Sequence, residues 1–368
     1  MPIANYASSI KTFLQPNYLY GSVRYPFKGA YNLFDVYLNE ALLATDGINT
    51  ATTFGNLSSD IIKWIGGVLA PNGYIYGIPF DSTSVLKIDP LTDTATTFGS
   101  LSGSNKWGSG VLAPNGYIYG IPGNSTSVLK IDPLTDTATT FGSLSGQFKW
   151  GGGVLAPNGY IYGIPGNSTS VLKIDPLTDT ATTFGSLSAG SDKWAGGVLA
   201  PNGYIYGIPT YSTSVLKIDP LTDTATTFGS LSGADYKWIG GVLAPNGYIY
   251  GIPFDSTSVL KIDPLTDTAT TFGSLSGISK WIGGVLAPNG YIYGIPSSST
   301  SVLKIDPLTD TATTFGSLSG QFKWQGGVLA PNGYIYGIPR SSTSVLKIQT
   351  NIYSRIDQKL LSAYSNKF

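Results

Sequence analysis

Short stretches of alternating apolar and polar residues recur along most of the chain. Tyr74-Ile75-Tyr76-Gly77-Ile78 alternates β-forming residues with period two and predicts a strand. The apolar, glycine-rich run Trp64–Ala70 precedes it. Ser84–Ile88 and the threonine-rich Thr94–Phe98 follow as two further predicted strands. Turn chemistry separates the four. Ala70-Pro71-Asn72-Gly73 places proline and glycine where a type I turn wants them, and Pro79-Phe80-Asp81-Ser82 is a second turn. Asp89-Pro90-Leu91-Thr92-Asp93 opens a third with Asp then Pro.

This unit occurs seven times. All seven tryptophans mark it (Trp64, Trp107, Trp150, Trp194, Trp238, Trp281 and Trp324), at steps of 43 or 44 residues. Four short strands in a period of this length predict one propeller blade. The ends predict how the ring closes. Thr-Ala-Thr-Thr-Phe begins at Thr50, ahead of the first tryptophan, while the last repeat stops after its third strand at Ile348. The expected fold is therefore all-β: a seven-bladed β-propeller with four antiparallel strands per blade. Thr50–Phe54 acts as a latch strand completing the last blade, so that no sheet edge is left open.

The propeller is expected to span residues 47–349, between an N-terminal extension (1–46) and a C-terminal tail (350–368). In the extension, Phe34–Leu43 reads either as a helical stripe or as two short strands around Asn39-Glu40. In the tail, Leu360, Leu361 and Tyr364 fit a helical turn. These unrepeated segments are the natural docking elements.

Composition narrows the chemistry. Hydrophobic residues make up 42% and charged residues 11%, with a net charge of zero and no basic cluster, which disfavours nucleic acid. No apolar run approaches the ~20 residues of a membrane span. Met1–Tyr6 lacks the features of a secretory signal. There is no histidine and no cysteine, so imidazole metal sites and Ser-His-Asp or Cys-His nucleophiles are unavailable. The single glutamate, Glu40, and two of the three arginines lie outside the ring; Arg340 lies within it. The expectation is a chain that is not an enzyme, with no cofactor and no metal.

The repeated aspartates, Asp89 and Asp93, read as turn residues rather than a catalytic or calcium-binding pair. Trp64, Tyr74 and Tyr76 read as blade packing, and Lys63 and Lys87 as solvated or paired charges. Gly66 and Gly67 predict crowding where the inner strands meet at the axis.

The repeats differ in three places. The first is the loop before each tryptophan, which supplies the candidate binding residues Asn105, Phe148, Asp192, Tyr236 and Phe322. The second is the residue after it, as at Ile65. The third is the turn after the second strand, which supplies Phe80 and Asp81, Asn124, Asn167, Thr210 and Tyr211, Phe254 and Asp255, and Arg340. Strand direction alternates, so all three groups fall at one end of the ring. The other end does not vary. Aromatic, amide and charged residues on a constant scaffold suit binding.

The repeat K-W-x-G-G-V-L-A-P-N-G-Y-I-Y-G-I-P-x-x-S-T-S-V-L-K-I-D-P, over roughly residues 47–349, resembles propeller repeats of aquatic microbes and their viruses, including cyanophage virion proteins. Val36-Tyr37-Leu38-Asn39 with Leu43 resembles a hairpin motif of phage tail-fibre proteins, with Glu40 in place of the motif's glycine. The resemblance implies a virion or tail component that binds a host surface glycan through the varying face. Residues 1–46 and 350–368 would hold other virion proteins. The alternatives are a structural decoration protein and, disfavoured by the missing His and Glu, a carbohydrate-active enzyme. Localisation on a virion is expected; a cytoplasmic or non-classically exported protein is the alternative.

Overall fold

The computed structural model describes residues 49–232 and 236–350. The expected helix or hairpin at Phe34–Leu43 and the helical turn in the tail lie outside these residues, as does Asp235.

The described residues form seven four-stranded antiparallel sheets. The latch is β1 (Thr50–Phe54). The first blade is β2 (Trp64–Leu69), β3 (Ile75–Pro79), β4 (Val85–Asp89) and β5 (Thr94–Phe98), paired in that order from the axis outwards. Five later blades repeat this pattern. The last blade has only three strands of its own, Trp324–Leu329, Ile335–Pro339 and Val345–Gln349. Its fourth is β1, antiparallel to Val345–Gln349 from Thr50↔Gln349 to Phe54↔Val345. Seven blades and the latch match the sequence-based expectation.

Period-two alternation explains why the blades stack. Ile75, Leu86 and Ile88 point toward the last blade and pack on Val328, Tyr336, Ile338 and Val345. Tyr76, Ile78 and Val85 point the other way, onto Trp107, Ile118, Leu129 and Ile131. Each blade thus spends one face of its alternation on each neighbour, and β3 is buried throughout. At about 1.5–3 kcal/mol per fully buried large apolar side chain, these interfaces dominate stability. Gly67 leaves room for the neighbouring blade: a Cβ there would lie 2.6 Å from Ile338 Cδ1.

A β-bulge between Trp64 and Gly67 bends each inner strand at the axis. Glycines 196 and 240, at equivalent bulges, approach so closely that a Cβ on Gly196 would lie 2.8 Å from Gly240 Cα. What remains is a central cavity of about 280 Å³, lined by glycines and Ser109.

The invariant end is held by a repeated bridge. Asn72 Nδ2 donates to the Pro133 carbonyl of the next blade (2.7 Å) and to the Tyr76 hydroxyl (3.0 Å). That hydroxyl donates to Asp136 Oδ1 (3.1 Å), and Lys87 Nζ pairs with Asp136 Oδ2 (2.6 Å). Burial pushes the Tyr76 hydroxyl far above its ordinary pKa. Asp89 accepts from the Leu91 N–H (2.8 Å), so both aspartates of the repeat serve turns and bridges. At the ring closure Asn49 takes over, accepting from the Tyr293 hydroxyl (3.0 Å).

Candidate functional site

The variable end is built on a closed girdle of backbone hydrogen bonds. The Phe80 N–H donates to the Lys63 carbonyl (2.9 Å), and the Lys106 N–H of the next blade donates to the Phe80 carbonyl (3.0 Å). The alternation of turn and loop continues through every blade. It ends where Arg340 N–H donates to the Lys323 carbonyl (2.9 Å) and Lys63 N–H donates to the Arg340 carbonyl (2.7 Å). The variable loops therefore sit on a rigid ring.

Under this ring lie the seven lysines that precede the tryptophans. Lys63 was expected to be solvated or ion-paired. Instead all seven are buried, with 1% to 6% of their surface exposed. The reason is local: an ammonium has three donors, and the ring offers two carbonyls to Lys63, Lys106 and Lys280 and three to Lys149, Lys193 and Lys323. Lys149 Nζ donates to Gly123 (2.7 Å), Ser125 (2.9 Å) and Gly146 (3.0 Å); Lys323 Nζ donates to Ser297, Ser299 and Gly320 (2.8–2.9 Å). Burial pulls Lys149 and Lys323 down to about 8. At Lys106 and Lys280, burial lowers the pKa and the charges of Asp81 and Asp255 oppose it. A lysine that never changes between a variable loop and a core tryptophan was the available sequence signal.

The residue before each lysine is left-handed in all seven repeats, with φ between 45° and 55°. Asn105 and Asp192 tolerate this conformation; Ile62, Phe148, Tyr236 and Phe322 are bulky residues for which it is an outlier. In six of the seven repeats a side chain of the preceding blade caps its N–H. Asp81 accepts from Asn105 (2.6 Å), Asn124 from Phe148 (2.7 Å), Asn167 from Asp192 (2.7 Å) and Asp255 from Ser279 (2.5 Å). Ser298 and Ser341, in the same variable turns, do the same for Phe322 (3.2 Å) and Ile62 (3.3 Å).

The other candidates divide by depth. Ile65 is buried at 5% exposure beside the cavity mouth, and Phe254 is buried. Thr210 is buried and its hydroxyl donates to the Trp238 carbonyl (3.0 Å). Phe80 is half-buried. Phe148, Tyr236 and Phe322 stand outward with 38% to 41% of their surface exposed.

Two places gather several of these side chains. Between the fourth and fifth blades, Tyr211 and Tyr236 lie 4.5 Å apart by ring centroids, and Tyr236 lies 6.1 Å from Phe254. Asp192 lies beside them; burial raises its carboxyl pKa and the Tyr236 hydroxyl opposes that rise. On the last blade the Arg340 guanidinium lies 5.1 Å from the Phe322 ring centroid. Its Nε is buried without a partner, as is Oγ of Ser297 on the other side of Lys323. Burial lowers the Arg340 pKa, and the charge of Asp81 opposes this.

Among the described residues, no group of three His, Cys, Asp or Glu side chains is placed to hold a metal ion. Nor do these residues include a helix long and apolar enough to cross a membrane.

The fold is shared with known enzymes. The chain is similar to virginiamycin B lyase from Staphylococcus aureus, at 10% identity and a TM-score of 0.72, over 83% of this chain and all of that one. A streptogramin B lyase structure matches at 13% identity and 0.71, over 82% and 97%. Hydrazine synthase from Kuenenia stuttgartiensis matches at 15% and 0.64, over 80% and 97%. At such identities the likeness is one of fold. It nonetheless overturns the expectation that this chain is not an enzyme. That expectation rested on which side chains are missing, and the ring itself is a scaffold that lyases use. No curated protein matches the sequence. The model of a family described as a repeat of unknown function (DUF6923) matches residues 13–163, 67–203, 113–243 and 195–354, most of the sequence, and the chain belongs to that repeat family.

Proposed function

We propose that the variable face is a recognition surface for a host-surface glycan. The observation that carries this reading is the aromatic platform Tyr211–Tyr236–Phe254 beside Asp192. Aromatic faces take the C–H side of a sugar ring, and a carboxylate accepts from its hydroxyls. The left-handed Phe148, Tyr236 and Phe322 support it as well. Each costs conformational energy that glycine would avoid, and such strain concentrates at functional sites. Several sites around one ring would add avidity to weak contacts. The setting we propose is a virion or tail, with segments 1–46 and 350–368 attached to neighbouring virion proteins. It draws on the resemblance of the repeat motif.

The test is binding of the full chain to a panel of envelope glycans, beside the variant Tyr211→Ala/Tyr236→Ala. Binding by the natural chain and its loss in the folded variant is the expected result. Equal binding by both would remove the platform from the account. Reducing ends counted in the same incubations report turnover.

A second reading, a structural part of an assembly, draws on the invariant face. There Leu91 and Leu134 sit at the tips of their turns with 88% of their surface exposed, and four more blades carry the same leucine.

A further inference from the structure

We infer that the last blade carries an anion subsite on the variable face, built from Arg340 and Phe322, and that it takes an acidic sugar bearing a carboxylate or a sulfate. This rests on the glycan reading and names the ligand class.

Arg340 is the only arginine among the described residues. It fills a turn position held elsewhere by Phe, Gly, Thr or Ser. The backbone of Arg340 is locked in the girdle on both sides. The Phe322 ring lies against the guanidinium at 5.1 Å and limits its rotation. No described carboxylate forms an ion pair with Arg340, whereas six lysines of the opposite end are each paired with an aspartate. The buried Nε is a donor without an acceptor, which is uncommon in a folded protein and expensive for a charged group.

The charge of Asp81 reaches Arg340 without forming an ion pair with it. The loop Gln321-Phe322-Lys323 brings no carboxylate, and Lys323 lies buried beneath it. Ser297 Oγ, also without a partner, flanks the same lysine; Thr210 at the equivalent position bonds the Trp238 carbonyl. The charge of the described residues is polarised between the two ends. Among the described residues the variable end has eight cations (the seven buried lysines and Arg340) against four carboxylates, Asp60, Asp81, Asp192 and Asp255. The invariant end has seven lysines against twelve aspartates. Such a field draws anions to the variable face. A guanidinium then matches a carboxylate or sulfate through two parallel N–H donors, and the part-exposed Phe322 ring adds apolar contact with the sugar. A neutral sugar gains only the second contact.

The test titrates the full chain with polygalacturonate, dextran sulfate, neutral dextran and a single-stranded DNA oligonucleotide. The variants are Arg340→Gln, Arg340→Lys and Tyr211→Ala/Tyr236→Ala, each checked for an unchanged unfolding midpoint. An acidic polysaccharide should bind at least about tenfold more tightly than dextran. Arg340→Gln should erase that preference and leave dextran binding intact, and Arg340→Lys should keep part of it. Comparing polygalacturonate with dextran sulfate separates carboxylate from sulfate. Binding of DNA as tight as that of either acidic polysaccharide would overturn the sugar assignment. Equal binding of dextran and acidic chains, lost in the double tyrosine variant, would overturn the anion subsite and keep the platform. Binding of none would overturn both.

Discussion

Both ends of the propeller use a left-handed residue to tie one blade to the next, and they use it in opposite ways. At the invariant end the residue is aspartate at six of the seven boundaries, Asp93 and its equivalents, with φ of 51–53°, and Asn49 stands in at the closure. The aspartate side chain makes the tie, reaching a tyrosine and a lysine of the preceding blade. At the variable end the residue is Ile, Asn, Phe, Asp, Tyr, Ser or Phe, with φ of 45–55°. There its backbone N–H makes the tie, to a short acceptor such as Asp81 or Asn124. A side chain that holds the ring cannot change. One whose backbone holds the ring is left to the surface. This contrast is why one end varies, and it separates framework from recognition within single loops.

The sharpest way to break this comparison is to remove the closure both ends depend on. A chain beginning at Gly55 loses the β1 ladder and the Phe54–Tyr336 contact, ring centroids 6.0 Å apart. It should lose at least about 4 kcal/mol of stability in urea unfolding and self-associate through the bare Val345–Gln349 edge on gel filtration.

A smaller effect probes the invariant tie alone. Asp136→Ala strands the Lys87 ammonium and removes one of two acceptors of the Tyr76 hydroxyl, which keeps the Pro133 carbonyl (3.1 Å). The expected cost is about 2 kcal/mol, moderated because the Asp136 side chain is 36% exposed. Glycan binding should stay as it was.

Proton linkage separates the two ends by pH. Burial holds Lys149 and Lys323 near about 8, against an ordinary value of 10.5. Between those values the unfolded chain carries more protons at these positions, so stability should rise with pH from about 8 toward 10. Tyrosines act in the opposite sense. The unfolded chain ionises near 10, whereas Tyr293 is held up to about 12 and Tyr76 higher. Stability should fall as pH climbs beyond about 10. Unfolding midpoints across this range should pass through a maximum, and Lys149→Met/Lys323→Met should flatten the rising limb only.

The smallest effect is the most specific to the variable loops. Phe148→Gly relieves a bulky left-handed residue and gives up a ring that is 41% exposed. These terms oppose each other, and the net change should stay below about 1 kcal/mol by thermal unfolding. A loss of several kcal/mol would place Phe148 in the framework.

Much of the fold was legible in the sequence because its signals are local and repeated. The tryptophan step, the turn dipeptides and the displaced Thr50–Phe54 strand carry blade number and closure without any tertiary knowledge. The site was legible by end and not by role. Strand alternation brings Asp81 and Asn105 to the same end. That one caps the other across a blade boundary depends on the register between sheets, which no local pattern encodes. Lys63 was misread for the same reason. Lysine is seldom buried, and the carbonyls that make burial tolerable, those of Asp60 and Ser342 for Lys63, come from separate turns and loops. The pairing of Arg340 with Phe322 joins two variable groups that looked independent along the chain. The question of catalysis was misjudged because absent residue types say less than a scaffold known to carry lyases.

The most direct measurement replaces every turn after the second strand, from Phe80-Asp81 to Arg340-Ser341, with Gly-Asn, the pair at Gly123-Asn124. The asparagine supplies a cap for the left-handed N–H, and Phe80, Tyr211, Phe254 and Arg340 disappear while the loops before the tryptophans stay as they are. Unfolding and glycan binding are then measured on the same preparation. The account predicts an unfolding midpoint close to that of the natural chain together with lost binding. Retained binding on an intact fold, or a ring that no longer folds, would contradict it.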